Sequence, residues 1–279
     1  MINDFCFIIT SFDQVKLIEE NIVRIRANYP AEIKNAPIII VSTAEKNLFK
    51  HIVEQKNLFF IHFKDAPSNS SNTTFKSKAQ PTGNYEGWRN EFLPPRILMS
   101  IEKALDLAYK IKCNSALHLH SDTYWRVNKT QNLLNEIRYK IKNKLFIGDL
   151  SFPNEYSSFI KKVLPPFLHF QPEGLLFNVK KSKEIGFSDF SRIWDNKTEF
   201  KSHNYGSIEA LIGQFAYFSL TGNNVINKKT KLINDYFSQI GFRTIRPYHG
   251  HFNYGLTNLD EVMPSQGLLS LFTLKIVRF

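Results

Sequence analysis

The sequence has few of the features that mark secreted or membrane proteins. Only two of its 279 residues are cysteines, Cys6 and Cys113, which excludes a disulfide framework. Both lie in apolar, strand-like runs, so we expect buried free thiols. No apolar run is long enough to span a membrane, and the short run 5–9 after Asp4 does not have the form of a signal peptide. We therefore expect a soluble cytoplasmic protein, with peripheral contact at the inner membrane face as an open option.

Acidic residues are also few. The chain has 36 Lys and Arg against 25 Asp and Glu, which gives a net charge of +11. This balance favours polyanionic partners: nucleotide phosphates, nucleic acid or an anionic membrane face. The alternative is a solvated basic surface, because the lysines are scattered along the sequence. No nucleic-acid-binding motif is present, and basic residues do not cluster with aromatic ones, so we expect no nucleic-acid partner.

The first half of the chain alternates strand and helix signals. The apolar run "FCFIITSF" predicts a strand buried on both faces, "APIIIVSTA" a second buried strand and "NLFFIHF" a third strand. Helical spacing follows the first run at Val15, Ile18, Ile22 and Ile25, and a second helix is predicted over 48–55. Pro94 and Pro95 open a third helix, and "NSALHLHSDTYW", from Asn114 to Trp125, contains the fourth strand. The alternation predicts an α/β protein with a parallel sheet and helices on both faces.

The second half is less regular. The sequence predicts a basic amphipathic helix over 130–142, a strand at "LFIGDLSF", and a strand running into a short helix at "PEGLLFNVKKSKEIGF". Ser207 caps a further predicted helix, and a late strand is expected near "RPYHGHFNYG". Between the third strand and third helix, residues 64–91 form a polar segment without periodicity. A loop of this length is usually functional or disordered.

Three polar side chains alternate along the fourth predicted strand: His118, His120 and Asp122. A regular strand points every second side chain to the same face, so the three would share one face. Zinc accepts imidazole nitrogen and carboxylate oxygen, so the three could hold a zinc ion. Alternatively, Asp122 alone serves a ligand, or all three are ordinary polar residues at a strand end.

Over these five residues the spacing resembles part of the motif of metallo-β-lactamase-type hydrolases. That motif continues directly with a further His, where this chain has Thr123. The Thr that usually precedes it is replaced by Leu117. The resemblance implies a zinc-dependent hydrolase built on His118, His120 and Asp122.

The order of elements resembles the GT-A glycosyltransferases over most of the chain. Strand–helix units, a long loop and a strand ending in a short acidic motif follow one another in that superfamily. Its Asp-x-Asp motif holds a divalent cation that bridges a nucleotide diphosphate. His120-Ser121-Asp122 takes that place here, and the first acid is missing. The resemblance implies one GT-A-like domain with a Rossmann-type mixed, mostly parallel sheet, a nucleotide-sugar-binding half at 1–125 and an acceptor-binding half at 126–279.

The resemblance also implies a manganese or magnesium ion at Asp122 and His120. Some metal-dependent members complete the cation site with a late His, which would be His251 or His249 in "RPYHGHFNYG". Imidazole suits manganese better than magnesium. The missing first acid equally permits a metal-free enzyme that uses cationic side chains.

Nucleotide contacts are implied at the first strand and its turn, "FIITSFDQ", where Thr10, Ser11 and Phe12 would meet the base and ribose. Arg89 and Arg96 flank the junction between the long loop and the third helix. Either could bind the diphosphate, because a guanidinium donates hydrogen bonds in a planar fork. Surface ion pairs are the alternative role for both arginines.

Inverting members of the superfamily often place a catalytic base near a helix start. Glu209, in the first turn of the helix capped by Ser207, would take that role, with Asp149 at the end of "LFIGD" as the competing base. The alternative for Glu209 is a carboxylate that the helix dipole stabilises.

The function implied is transfer of a sugar from a nucleotide-diphosphate donor to a glycan or lipid-linked acceptor hydroxyl, in bacterial surface polysaccharide synthesis. A zinc-dependent hydrolase and a catalytically inactive GT-A-like binding protein are the alternatives.

Overall fold

The structure of the protein, a computed structural model, describes residues 4–11, 15–43, 45–64, 93–121, 123–126, 132–148, 174–190, 208–222 and 248–251. For residues 51, 53, 93–96, 123–126, 208–211, 214 and 248–251 only the backbone is described.

The strands of the described residues form two sheets. In chain order they are β1 (Phe5–Ser11), β2 (Ile38–Ser42), β3 (Leu58–His62), β4 (Ser115–His120), β5 (Thr123–Arg126), β6 (Phe146–Ile147), β7 (Leu176–Asn178) and β8 (Tyr248–His251). Six of them form the main sheet in the order β3-β2-β1-β4-β7-β6, and β5 pairs with β8 in a separate ribbon. Strands β1 to β4 are mutually parallel, whereas β7 runs antiparallel to both β4 and β6.

Helices cover both faces of the main sheet. They are α1 (Val15–Asn28), α2 (Ala31–Lys34), α3 (Lys50–Val53), α4 (Leu93–Lys110), α5 (Leu133–Ile141), α6 (Val179–Glu184) and α7 (Ile208–Thr221). Apolar side chains from α1, α2, α3 and α5 form one core with one face of the sheet. Side chains from α4, α6 and α7 form a second core with the other face. The prediction of a mostly parallel α/β sheet flanked by helices is confirmed.

Strand β1 shows why the sheet has two cores. All seven of its residues are buried, and successive side chains alternate between the two faces. Phe7 and Ile9 enter the core with α1, whereas Cys6 and Ile8 enter the core with α4. A strand covered on both faces needs an unbroken apolar run, which the sequence supplies.

Two local predictions differ from the structure. The helix predicted over 48–55 is a 3₁₀ turn, Lys46–Phe49, followed by the single turn α3. Of the side chains described in this segment, Phe49 and Ile52 are the buried ones, and one turn suffices to bury both. The strand predicted at "LFIGDLSF" contributes two paired residues, Phe146 and Ile147, within the described part of the chain.

Both cysteines are free and buried, as predicted from the sequence. Burial is the main cause that raises the pKa of the Cys6 thiol well above its usual value. A hydrogen bond to Cys113 and the charge of Cys113 raise this pKa further. A thiol with a raised pKa stays protonated at neutral pH and is a poor nucleophile. Cys6 is therefore a core residue and no part of the site below. Across the described helices, none is long and apolar enough to cross a membrane.

Candidate functional site

The strand order places a topological switch point between β1 and β4, and we name the space outside the carboxyl ends of these two strands the crevice. Chain order runs from β1 outward to β2 and β3, and then returns to the other side of β1 as β4. The helix after β1 packs on one face of the sheet, whereas α4, which precedes β4, packs on the other. From these two neighbouring strands the chain therefore continues in opposite directions along the sheet, from β1 toward β2 and from β4 toward β6. Such a switch point is where open α/β sheets bind ligands.

Three side chains meet on the α4 face of this switch point. Thr10 and His120 are paired residues on β1 and β4, and His118 lies two positions earlier on β4. The Thr10 Oγ1 and His118 Nε2 atoms are 2.9 Å apart in a buried hydrogen bond. The His118 ring meets the His120 ring edge-on, with 5.2 Å between centroids. His118 is fully buried and His120 is half-buried, so His120 is the histidine closer to a ligand in the crevice.

The α1 face of the switch point carries one buried amide. Asn21, in the middle of α1, is fully buried, and its Nδ2 donates to the backbone oxygen of His120 at 3.4 Å. The backbone N–H of Ser121 donates to the Thr10 oxygen at 3.2 Å. The last residue of β4 is thus held from α1, from β1 and through the His118 ring. These contacts fix the direction in which the chain leaves β4 toward position 122.

Sequence reasoning missed Asn21 as a residue of this region. It lies among Ile18, Ile22 and Ile25 on the buried face of α1, where an uncharged polar residue interrupts an apolar stripe. A buried amide has to find a hydrogen-bond partner, and that need was the available signal. The partner itself is 99 positions away, which no local pattern indicates.

The antiparallel strand β7 brings a glycine to the same edge. Gly174 donates its backbone N–H to the His118 oxygen at 2.8 Å, and the His118 N–H donates to Leu175 at 2.8 Å. Gly174 has a φ of 80°, a conformation that favours glycine over other residues. The start of the β7 segment therefore meets β4 beside the site at Gly174.

The ribbon of β5 and β8 connects the late His-Gly-His segment to the end of β4. Thr123 pairs with His251, and Trp125 pairs with His249. Thr123 is one residue after Asp122, so the backbone of His251 lies beside the chain where it leaves β4. The register therefore places the backbone of His251 next to the residue that follows Asp122 in the sequence.

The remaining predicted site residues are placed in part or not at all. Thr10 and Ser11 are at the end of β1. Arg96 and Glu209 lie in the first turns of α4 and α7, where only the backbone is described. Phe12, Arg89, Asp122 and Asp149 lie outside the described residues. Their assigned roles stay predictions.

The described side chains alone do not make a metal centre. Within them, no group of three His, Cys, Asp or Glu side chains could hold a metal ion. His118 has its Nε2 in the hydrogen bond with Thr10, which is the role of a structural histidine. A cation at this edge would therefore depend on Asp122 and on the side chain of His251.

Comparison with known proteins finds similarity among solved structures. No protein-family model matches the chain, and no curated protein matches it. Among solved structures it is similar to a mannosyltransferase from Pyrobaculum calidifontis in complex with GDP-Man and Mn2+, with 16% identity and a TM-score of 0.38. The match covers 66% of this chain and 46% of that structure, so the chain corresponds to less than half of the other protein's length.

Proposed function

We propose that the protein is a glycosyltransferase that binds a nucleotide-diphosphate sugar at the crevice between β1 and β4. The observation that carries the proposal is the register of His251 with Thr123, next to the end of β4 at a topological switch point. One carboxylate and one or two imidazoles would meet there, at the edge of the sheet where nucleotides bind in folds of this topology.

The proposed ligands, one carboxylate and one or two imidazoles, fit a divalent cation that accepts both oxygen and nitrogen ligands. Asp122 and His251 would hold the ion, with His120 as a third neighbour, and imidazole nitrogen favours manganese over magnesium. A bound cation would neutralise the negative charge that builds up on the departing nucleoside diphosphate. In the proposed donor site Ser11 and Phe12 contact the nucleoside. Thr10 also contacts the nucleoside, through a hydroxyl that is hydrogen-bonded to His118.

Arg89 and Arg96 bind the diphosphate of the donor. On the acceptor side, which lies toward β7 and α7, a carboxylate takes the proton from the acceptor hydroxyl as the hydroxyl oxygen attacks the anomeric carbon. The proposed acceptor is a glycan or a lipid-linked sugar of bacterial surface polysaccharide, with 1–125 as the donor half and 126–279 as the acceptor half. The main sheet continues across this division, since β6 and β7 extend it beyond β4.

Nucleotide binding tests the proposal directly. We expect the matching nucleoside diphosphate, at about a hundred times its Kd, to raise the melting temperature by roughly 5–10 °C, because ligand binding stabilises the folded state by mass action. Manganese should increase this shift. The measurement is a thermal-shift screen of nucleoside diphosphates and nucleotide sugars, with and without manganese. No shift with any nucleotide would overturn the proposal.

Elemental analysis and activity assays beside this screen separate the two alternatives. A zinc-dependent hydrolase would carry stoichiometric zinc after purification and would hydrolyse substrate without any nucleotide sugar, which elemental analysis and assay detect. A catalytically inactive relative would show the nucleotide shift but no transfer to any glycan acceptor.

The catalytic base is tested by two matched substitutions, Glu209→Gln and Asp149→Asn. We expect one of them to lower the turnover of sugar transfer by about 100-fold, because a positioned base contributes at least that much. KM for the donor should change little, since neither carboxylate is assigned to donor binding. Turnover close to that of the unmodified protein in both variants would reject both assignments.

A further inference from the structure

Several lysines that are scattered in the sequence lie together at the amino edge of the main sheet. Asp4 precedes β1, and Asn114 precedes β4. The Asn114 Nδ2 donates to the Asp4 Oδ1 at 2.8 Å. The end of α5 reaches the same edge, where the Asn178 N–H donates to Leu145 at 2.9 Å. The turn after α4, the turn after α5 and the start of α6 therefore meet at this edge.

These three segments form a surface that we name the lysine edge. It consists of Lys110, Lys112, Lys142, Lys144 and Lys181. All five are exposed or half-exposed, and none of them pairs with a carboxylate in the described part of the chain. The Lys181 Nζ donates to the backbone oxygen of Asn143 at 3.3 Å, which links α6 to the turn after α5.

Neighbouring charges do not cancel the lysine edge. Three acids close to these lysines have a cationic partner: Asp4 pairs with Arg138, and Glu136 pairs with Lys140 at 2.7 Å. Glu184 lies 3.7 Å from Lys180. Because these pairs are neutral overall, the five lysines set the sign of the field at this edge.

Two exposed tyrosines accompany the lysines. Tyr109, in the last turn of α4, is 49% exposed, and Tyr139, in the last turn of α5, is 85% exposed. Both helices end at the amino edge, so each tyrosine lies within a few residues of members of the lysine edge. Tyrosine combines an apolar ring with a polar end and is enriched at the boundary between membrane and water.

We propose that the lysine edge docks on an anionic lipid bilayer. Lysines act as hydrated point charges, which suits attraction to a diffuse layer of lipid headgroups. Recognition of nucleic acid favours arginine forks and aromatic rings that line a groove. Arg138, which lies at this edge, is engaged by Asp4. The described surface therefore fits a bilayer better than a nucleic acid.

Docking at this edge leaves the candidate donor site open. The crevice is at the opposite end of the strands, and six residues of β4 separate the two edges by about 20 Å. The inference goes beyond the proposed function and does not depend on it, because bilayer binding requires neither a nucleotide sugar nor a cation.

Vesicle binding by charge-reversal variants tests the docking surface. The full chain is sedimented with vesicles of phosphatidylcholine and phosphatidylglycerol, and with vesicles of phosphatidylcholine alone. We expect binding only to the anionic vesicles, and its loss at roughly 0.5 M salt, where charges are screened within a few ångströms. The triple variant Lys110→Glu, Lys112→Glu, Lys142→Glu should bind at least about 100-fold more weakly, since each of the three lysines contributes roughly fivefold.

A matched triple variant controls for net charge. Lys16→Glu, Lys46→Glu and Lys50→Glu make the same change in charge beside the carboxyl ends of β1 and β2. We expect this variant to stay within about threefold of the unmodified protein, because its lysines lie outside the docking surface. If the Glu variant of the lysine edge does not fold, the variant Lys110→Gln, Lys112→Gln, Lys142→Gln replaces it in the vesicle assay.

Three outcomes would overturn the docking surface: no binding to anionic vesicles, equal losses in the two triple variants, and binding of an oligonucleotide through the lysine edge without binding to vesicles. None of them bears on nucleotide binding at the crevice, so failure of this inference and failure of the proposed function are distinguishable.

Discussion

Replacing Asp122 with Asn is expected to lower sugar transfer by about 1000-fold, which corresponds to roughly 4 kcal/mol of transition-state stabilisation. The reason is the isolation of this carboxylate in the proposed site. In the motif His120-Ser121-Asp122 the first acid is absent, so no second carboxylate of the motif can take over its charge. The measurement is transfer from a nucleotide sugar that the thermal-shift screen identifies, at saturating manganese.

The matched control for Asp122→Asn is Asp106→Asn. Asp106 is half-buried on α4 and is paired with Lys183, in the half of that helix away from the crevice. This variant should keep turnover within about twofold, because surface ion pairs contribute little. If Asp122→Asn also stays within tenfold, the cation site belongs elsewhere. The manganese-dependent part of the nucleotide shift should disappear in Asp122→Asn and persist in Asp106→Asn.

Replacing His118 with Ala is expected to lower the free energy of unfolding by about 3 kcal/mol. The ring is fully buried between β1 and α4, so its removal leaves a cavity. It also leaves the Thr10 hydroxyl without its buried partner, which adds to the loss. Equilibrium unfolding in urea measures the change.

A double-mutant cycle separates packing from the hydrogen bond. Thr10→Val removes the hydroxyl while it keeps the shape of the side chain, and combined with His118→Ala it should show a coupling of about 1 kcal/mol. His62→Ala, at the end of the edge strand β3, is the matched control, and we expect it to destabilise by about 1 kcal/mol. A loss below that value for His118→Ala, or no coupling with Thr10→Val, would contradict the role assigned to this ring.

The sheet was predictable because its signals are local. Strands β1, β2 and β3 are continuous apolar runs, and the stripe Ile18, Ile22 and Ile25 gives α1 its period. Two faces covered by helices are then the way to bury such strands. The short strand β7 was also predicted from the sequence, but its antiparallel direction was not. Strand direction depends on the pairing with β4 rather than on the residues of β7 itself.

The site was predictable only as far as single strands allow. The end of β4 was recognisable from its polar residues, and the rule for carboxyl ends pointed to Asp122. The contact of Asn21 with His120 and the register of His251 with Thr123 depend on pairings across 99 and more positions. The lysine edge has the same origin. Lys112, Lys142 and Lys181 are far apart in sequence and meet only because two helices end and one begins at one edge of the sheet.

The central position of β1 has a consequence during synthesis. Among the described strands of the main sheet it is synthesised before the others, and β2 and β3 can pair with one side of it soon afterwards. Its other side stays unpaired until β4 has been synthesised, because the partners Thr10 and His118 are 108 positions apart in the chain. At ordinary translation rates that wait is on the order of ten seconds. During this time an apolar strand edge is open to pairing with other chains, so the nascent N-terminal units should bind chaperones until β4 emerges.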